Sequence, residues 1–249
     1  MGNKRQSQIH VVTAYFDIGW HGRPGTVQRN NDWYLTHFAK LAQLQNPMSI
    51  FTQDNFRPQV GEIRGRGKDT WLFSYDDTNL DLAQDIGMLQ DRPRQDNLPL
   101  KYIFLQWCKP AFVAIVCKYH GAEQPSHYAW VDFAGLRHYA VIPQTPLVPQ
   151  KWEYDFSQEV ITLFSTYDTQ RKEDRVCRSA WVVPGHLAAW LAEAFIKAAM
   201  QLASKEGFYD DEYVLAQLVR EHPDKFTVLT LGKDNFFGAL SVYNKWEDK

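Results

Sequence analysis

Ile9-His10-Val11-Val12-Thr13-Ala14-Tyr15-Phe16 at the start of the chain, and Met48-Ser49-Ile50-Phe51-Thr52 about thirty residues later, decide the fold class. Both are short runs rich in β-branched and aromatic residues. The first stops at Asp17-Ile18-Gly19, as a buried strand running into a loop does. Between them, after a Gly/Pro/Arg-rich loop from His21 to Asn30, a helix is predicted from an N-cap at Asn31 or Asp32. Its apolar residues Trp33, Leu35, Phe38, Leu41 and Leu44 recur at helical spacing until Asn46-Pro47 ends the pattern. Strand, helix, strand with a long crossover favours a parallel pair, so the chain opens as an α/β protein.

Further along, Gln53 to Thr70 is polar and basic and shows no element. Helical stretches are predicted over Leu80 to Gln90 and Leu100 to Tyr119, separated by Asp91-Arg92-Pro93-Arg94. Pro110 inside the second stretch predicts a kink near Trp107 that aims Lys109. His127 to Phe133 reads as a buried strand with a carboxylate, Asp132, at its C-terminal end, followed by an Ala134-Gly135 turn. Pro143, Pro146 and Pro149 mark an irregular connection. Strands over Val160 to Ser165 and Cys177 to Val183, a helix from Pro184-Gly185 to about Ser204, a short helix ending near His222-Pro223 and a strand from Phe226 to Leu231 complete the pattern. No repeat and no dividing linker is visible, which predicts one domain with residues 1–8 as a tail.

The 249 residues, 45% hydrophobic and 22% charged, exclude disordered and fibrous classes. With 27 Lys and Arg against 29 Asp and Glu and no long basic run, nucleic acid is excluded as a partner class. The three cysteines, Cys108, Cys117 and Cys177, have no zinc spacing and read as small buried hydrophobes of a reducing compartment. No signal peptide is evident. The longest apolar run, Ala111 to Cys117, is well short of a membrane span. A cytoplasmic protein is expected, with at most peripheral membrane contact; the sequence does not fix its oligomeric state.

In open α/β sheets ligands bind outside the C-terminal ends of the strands, which singles out Thr13 to Asp17 and Asp132. Asp132 reads equally as a ligand or metal residue and as a turn cap, and Asp17 as ordinary loop chemistry. Asp76, Asp77, Asp81 and Asp85 form an acidic stripe that suits a cation or, more simply, a solvated helix start. Arg64-Gly65-Arg66-Gly67-Lys68 offers a diphosphate clamp without the Gly-Lys-Ser/Thr of a Walker loop. Tyr209-Asp210-Asp211-Glu212-Tyr213 places carboxylates at a helix start, either as caps or with one kept ionised as a base. Zincin, α/β-hydrolase and dinucleotide-dehydrogenase motifs are missing.

With Val-Thr-Ala-Tyr-Phe-Asp-Ile at 12–18, Lys-Pro at 109–110, Tyr-Ala-Trp-Val-Asp-Phe at 128–133 and Asp-Glu at 211–212 before His-Pro at 222–223, the chain resembles the HtrL/YibB-like family across nearly its whole length. Members of that family look like glycosyltransferases of the GT-A type. The resemblance implies a Rossmann-like α/β sandwich with a mixed, mostly parallel central sheet flanked by helices. Residues 9–135 would form the nucleotide-binding half and 136–249 the acceptor-side half. It implies transfer of a sugar from a nucleotide-sugar donor to a surface-polysaccharide or lipopolysaccharide acceptor. Thr13, Ala14, Tyr15 and Asp17 would line the donor pocket, and Asp132 would be the first acid of an Asp-x-Asp motif. The second position is Ala134, so a Mn²⁺ or Mg²⁺ cofactor would rest on Asp132 alone, or Lys109 and Arg66 would compensate the diphosphate charge instead. Asp211, or Glu212 beside it, would be the base, and His186, after the Trp181 strand, would border the acceptor. The alternative is a non-catalytic nucleotide- or carbohydrate-binding protein.

Overall fold

In β1 (Ile9–Tyr15) every residue except Ala14 is buried, because the strand lies in the interior of the sheet with both faces covered. The computed structural model describes residues 9–19, 29–74, 98–121, 125–135, 151–152, 155–165 and 179–230. The acidic stripe at 76–85, Cys177 and the prolines at 143, 146 and 149 lie outside them.

β1 is followed by α1 (Asn31–Leu41), β2 (Met48–Thr52), α2 (Arg57–Arg64) and β3 (Thr70–Ser74). Next come α3 (Leu100–Trp107), α4 (Lys109–His120), β4 (His127–Val131), β5 (Ile161–Ser165) and β6 (Ala180–Pro184). α5 (Ala188–Lys205), α6 (Asp211–Glu221) and β7 (Phe226–Thr230) close the described chain. The strands form one seven-stranded sheet in the order β3-β2-β1-β4-β6-β5-β7. β3, β2, β1 and β4 run parallel, β6 is antiparallel to both its neighbours, and β5 and β7 are parallel to each other. The expected mixed, mostly parallel α/β sheet flanked by helices is therefore present.

Alternating side chains of each strand feed two cores. Val12, Tyr128 and Trp130 pack with Phe112, Val116, Leu191 and Leu215 of the α3 to α6 side; Val11, Ile50 and Ala129 pack with Leu35, Phe38 and Val60 of the α1 and α2 side. The sheet is thus sandwiched between two helical layers.

Three local departures from the sequence expectation have physical causes. The segment Gln53 to Thr70 holds all of α2 and leads into β3, neither of which its composition announced. Arg64 is 1% exposed, and its guanidinium donates to the carbonyls of Ala42, Leu44 and Asn46 and to the Thr70 hydroxyl. Lys68 also donates to the Ala42 carbonyl. Two of the three cations of the supposed diphosphate clamp therefore satisfy backbone carbonyls just beyond α1, which ends at Leu41, earlier than its apolar periodicity suggests. Burial lowers the Arg64 pKa to about 10.

The single helix expected over Leu100 to Tyr119 is two, α3 and α4, meeting at Cys108 with Pro110 in the first turn of the second. Proline has no N–H to donate there and its φ suits a helix start, so the break falls where predicted. By length and composition the stretch Leu100–His120 would cross a membrane, yet 56% of its most apolar window is buried inside the fold and Lys109 sits midway. It serves as core. Cys108 and Cys117 are buried thiols, and burial raises the Cys108 pKa to about 12.

Candidate functional site

The loops after β1 and β4 border one cleft, between adjacent parallel strands whose connections leave in opposite directions along the sheet. After β1 the chain is held tightly. Asp17 accepts from the Gly19 amide at 2.8 Å and from Asn31 Nδ2 at 3.0 Å, a turn that places Gly19 at φ 71°. Its own amide donates to Gln53 Oε1 at 2.9 Å, linking the loops after β1 and β2. The Tyr15 hydroxyl donates to Asn31 Oδ1 at 2.5 Å, and its ring stacks on Phe133 at 4.9 Å. Burial, then the Asp17 charge, raises the Tyr15 pKa, so it remains a neutral donor.

After β4, the Asp132 amide donates to Ser179 O at 2.8 Å and the Gly135 amide to Asp132 O at 2.6 Å. That turn is too tight for a side chain at 135, where a Cβ would lie 2.8 Å from the Asp132 carbonyl oxygen. Trp130 Nε1 donates to Asp132 Oδ1 at 2.8 Å, and Lys109 Nζ lies 2.9 Å from the same oxygen. The ammonium also donates to Asp211 Oδ2 at 2.7 Å and sits 5.7 Å above the Trp130 ring. Side-chain exposure falls from 25% at Asp132 to 3% at Lys109 and 1% at Asp211, so the triad runs from the cleft inward. Burial alone would lower the Lys109 pKa, but the two carboxylates outweigh it and hold the ammonium charged.

The break before Pro110 aims Lys109 as the sequence suggested. Asp210, the N-cap of α6, accepts from the Tyr213 amide, and Trp107 Nε1 donates to Tyr209 O at 2.8 Å. These contacts pin the start of α6 against the end of α3 and so bring Asp211 to Lys109.

Among the residues expected at the site, Ala14, Tyr15, Asp17, Lys109 and Asp132 line the cleft, as does Ala134. Thr13 does not: it is fully buried within β1, paired to Ile50 of β2. Arg66 is exposed in the loop that enters β3 from its N-terminal end, the sheet edge opposite the cleft. His186 is also at that opposite edge. β6 runs antiparallel to β4, so its end at Pro184 pairs with His127, the first residue of β4, and His186 follows it there. Asp211 is close to the site but buried behind Lys109 and does not line the cleft. Glu212, half-buried in the first turn of α6, does not line the cleft.

Several cleft residues escaped the sequence reading. Arg29, Asn31, Trp33, Tyr34, Tyr102, Gln106 and Trp130 line it together with those above. Trp33 and Trp130 carry periodicity that reads as core, and Arg29 lies in a loop whose direction only the fold sets. Its described lining combines Asp17 and Asp132 as anions and Arg29 and Lys109 as cations with the aromatic rings of Trp33, Tyr34 and Trp130. The cleft is open to solvent, and its enclosed part is about 140 Å³.

A divalent cation held in the Asp-x-Asp manner requires several oxygen ligands. Ala134 supplies none, and the Asp132 oxygen already accepts an ammonium and an indole N–H. Among the described residues the donor set does not fit such an ion.

A family model described as "Bacterial protein of unknown function (HtrL_YibB)" matches residues 7–245. The chain is 25% identical over 273 aligned positions to Protein HtrL of Escherichia coli (strain K12), covering 96% of this chain and 93% of that one. Among solved structures, the crystal structure of mouse xyloside xylosyltransferase 1 in its apo form superposes with a TM-score of 0.47 at 11% identity, over 88% of this chain and 84% of that one. The match over nearly the full length is decisive for descent: the chain belongs to the HtrL_YibB family.

Proposed function

We propose that this protein is a glycosyltransferase that takes a sugar from a nucleotide-sugar donor and passes it to a surface-polysaccharide or lipopolysaccharide acceptor on the cytoplasmic side of the cell. The observation that carries this reading is the cleft between the ends of β1 and β4, a switch point of the sheet, with the Asp132-Lys109-Asp211 triad on its wall. In the transfer, the bond from the anomeric carbon to the diphosphate breaks, the diphosphate leaves with the electron pair, and the acceptor oxygen bonds to that carbon as its proton departs. Asp132 is the carboxylate on the cleft wall suited to receive donor or acceptor hydroxyls, and Lys109 with Trp130 sets its position. Aromatic faces at Trp33 and Tyr34 suit a nucleobase.

The test is a thermal-shift screen of the full chain against nucleoside diphosphates and nucleotide-sugars, because ligands that bind the folded state raise its midpoint. A shift specific to one base, followed by consumption of the matching nucleotide-sugar, supports the reading. No shift with any nucleotide refutes it. Ala134, standing where a second acid would be, favours one competitor: a protein that binds the donor or a glycan without transfer. Binding with no donor turnover in the presence of glycan acceptors decides for that reading.

A further inference from the structure

We infer that the cleft holds the donor's diphosphate without a divalent cation, and that Arg29 is the residue that meets it. This rests on the donor reading above. Of the two cations among the described cleft residues, Lys109 is 3% exposed and shared between two carboxylates 2.9 and 2.7 Å away. The triad as a whole carries one net negative charge and has no surplus positive charge to offer a phosphate. The same ammonium lies beside Asp132, the carboxylate at the end of β4, and repels a second cation there.

Arg29 differs on each count. It is exposed, it lines the cleft, and its guanidinium carbon lies 5.3 Å from the centre of the Trp33 ring, another lining residue. A guanidinium held over a ring engages the π face, while its N–H donors lie in its own plane, the geometry that takes two phosphate oxygens at once. Arg29 also directly precedes Asn30, the N-cap of α1, so its charge adds to the positive end of that helix. Trp33 thus has two tasks, fixing the arginine and offering apolar surface to the rest of the donor.

The test is calorimetric titration of the full chain with the preferred nucleoside diphosphate and with its parent nucleoside, in EDTA and in Mn²⁺, for wild type, Arg29→Ala, Arg29→Lys and Arg66→Ala. Expected are equal diphosphate affinities in EDTA and Mn²⁺, a loss of about tenfold or more for Arg29→Ala, and a partial loss for Arg29→Lys, which keeps the charge but not the fork. Nucleoside affinity and the Arg66→Ala variant should stay at wild-type levels. Diphosphate binding that disappears in EDTA and returns with Mn²⁺ overturns the inference while leaving the donor reading intact. So does an Arg29→Ala variant that binds like wild type. Failure of every nucleoside and nucleoside diphosphate to bind brings down the donor reading, and this inference with it.

Discussion

Replacing Lys109 by Met removes the central charge of the triad while keeping much of its volume. At 2.7 Å, the attraction between Lys109 and Asp211 is about 6 kcal/mol at an effective dielectric of 20, before desolvation is counted. Most of that is offset by the cost of taking both charges out of water. Truncating one partner still leaves the 1%-exposed Asp211 carboxylate without its counter-ion, for which roughly 3–5 kcal/mol is expected. For a chain of 249 residues that is a fall in midpoint of about 6–20 °C. The assay is urea or thermal unfolding of Lys109→Met, Asp211→Asn and the double variant. The double variant buries no uncompensated charge at 211 and should recover at least about 2 kcal/mol relative to Lys109→Met. A Lys109→Met protein within about 1 kcal/mol of wild type would refute the buried-triad reasoning, since that is the behaviour of an exposed pair.

Asp132→Asn should reduce donor turnover far more than it reduces the melting temperature, because this acid is a quarter exposed and Asn keeps an acceptor for Trp130; equal losses of stability and activity would make it a structural residue. Gly135→Ala drives a Cβ to 2.8 Å from a backbone oxygen and should cost about 1–3 kcal/mol while weakening nucleotide binding through the displaced Asp132 turn, read by paired melting and titration curves. His10, buried against Ser49 and His120, has its pKa lowered from 6.5 to about 3, first by burial and then by His120. The unfolded chain therefore binds a proton that the folded chain refuses, and stability falls as pH drops below 6.5, by up to about 1.4 kcal/mol per pH unit. Urea midpoints between pH 7 and pH 5 should fall less steeply for His10→Gln than for wild type; identical slopes would show that His10 does not supply this term.

Much of the fold was legible because buried parallel strands leave an unambiguous trace. β2 was read to the residue, and β1, β4 and β5 to within two residues, since strands covered on both faces are continuous runs of apolar and β-branched side chains. α2 and β3 left no such trace. β3 is only partly buried at the sheet edge, and α2 buries Arg64, whose charge masks its role as a cap for backbone carbonyls. At the site, strand ends singled out Tyr15, Asp17 and Asp132, and Pro110 an aimed Lys109, and all four line one cleft. Arg66 and His186 lie at the opposite sheet edge, which only the strand directions reveal, and Thr13 is buried within β1.

The order of apolar periodicities, set by local backbone preference and by which faces must leave water, is enough to determine an α/β protein with a parallel core. It cannot determine the direction of β6. That depends on hydrogen bonds to β4 across some fifty residues of chain, and it carries His186 to the far edge. Nor can it bring Lys109 to Asp211, 102 residues away, or show that Asp211 lies behind Lys109 rather than in the cleft. Charge pairing in a low-dielectric interior depends on distance and burial, and both exist only once the sheet has closed against α4 and α6.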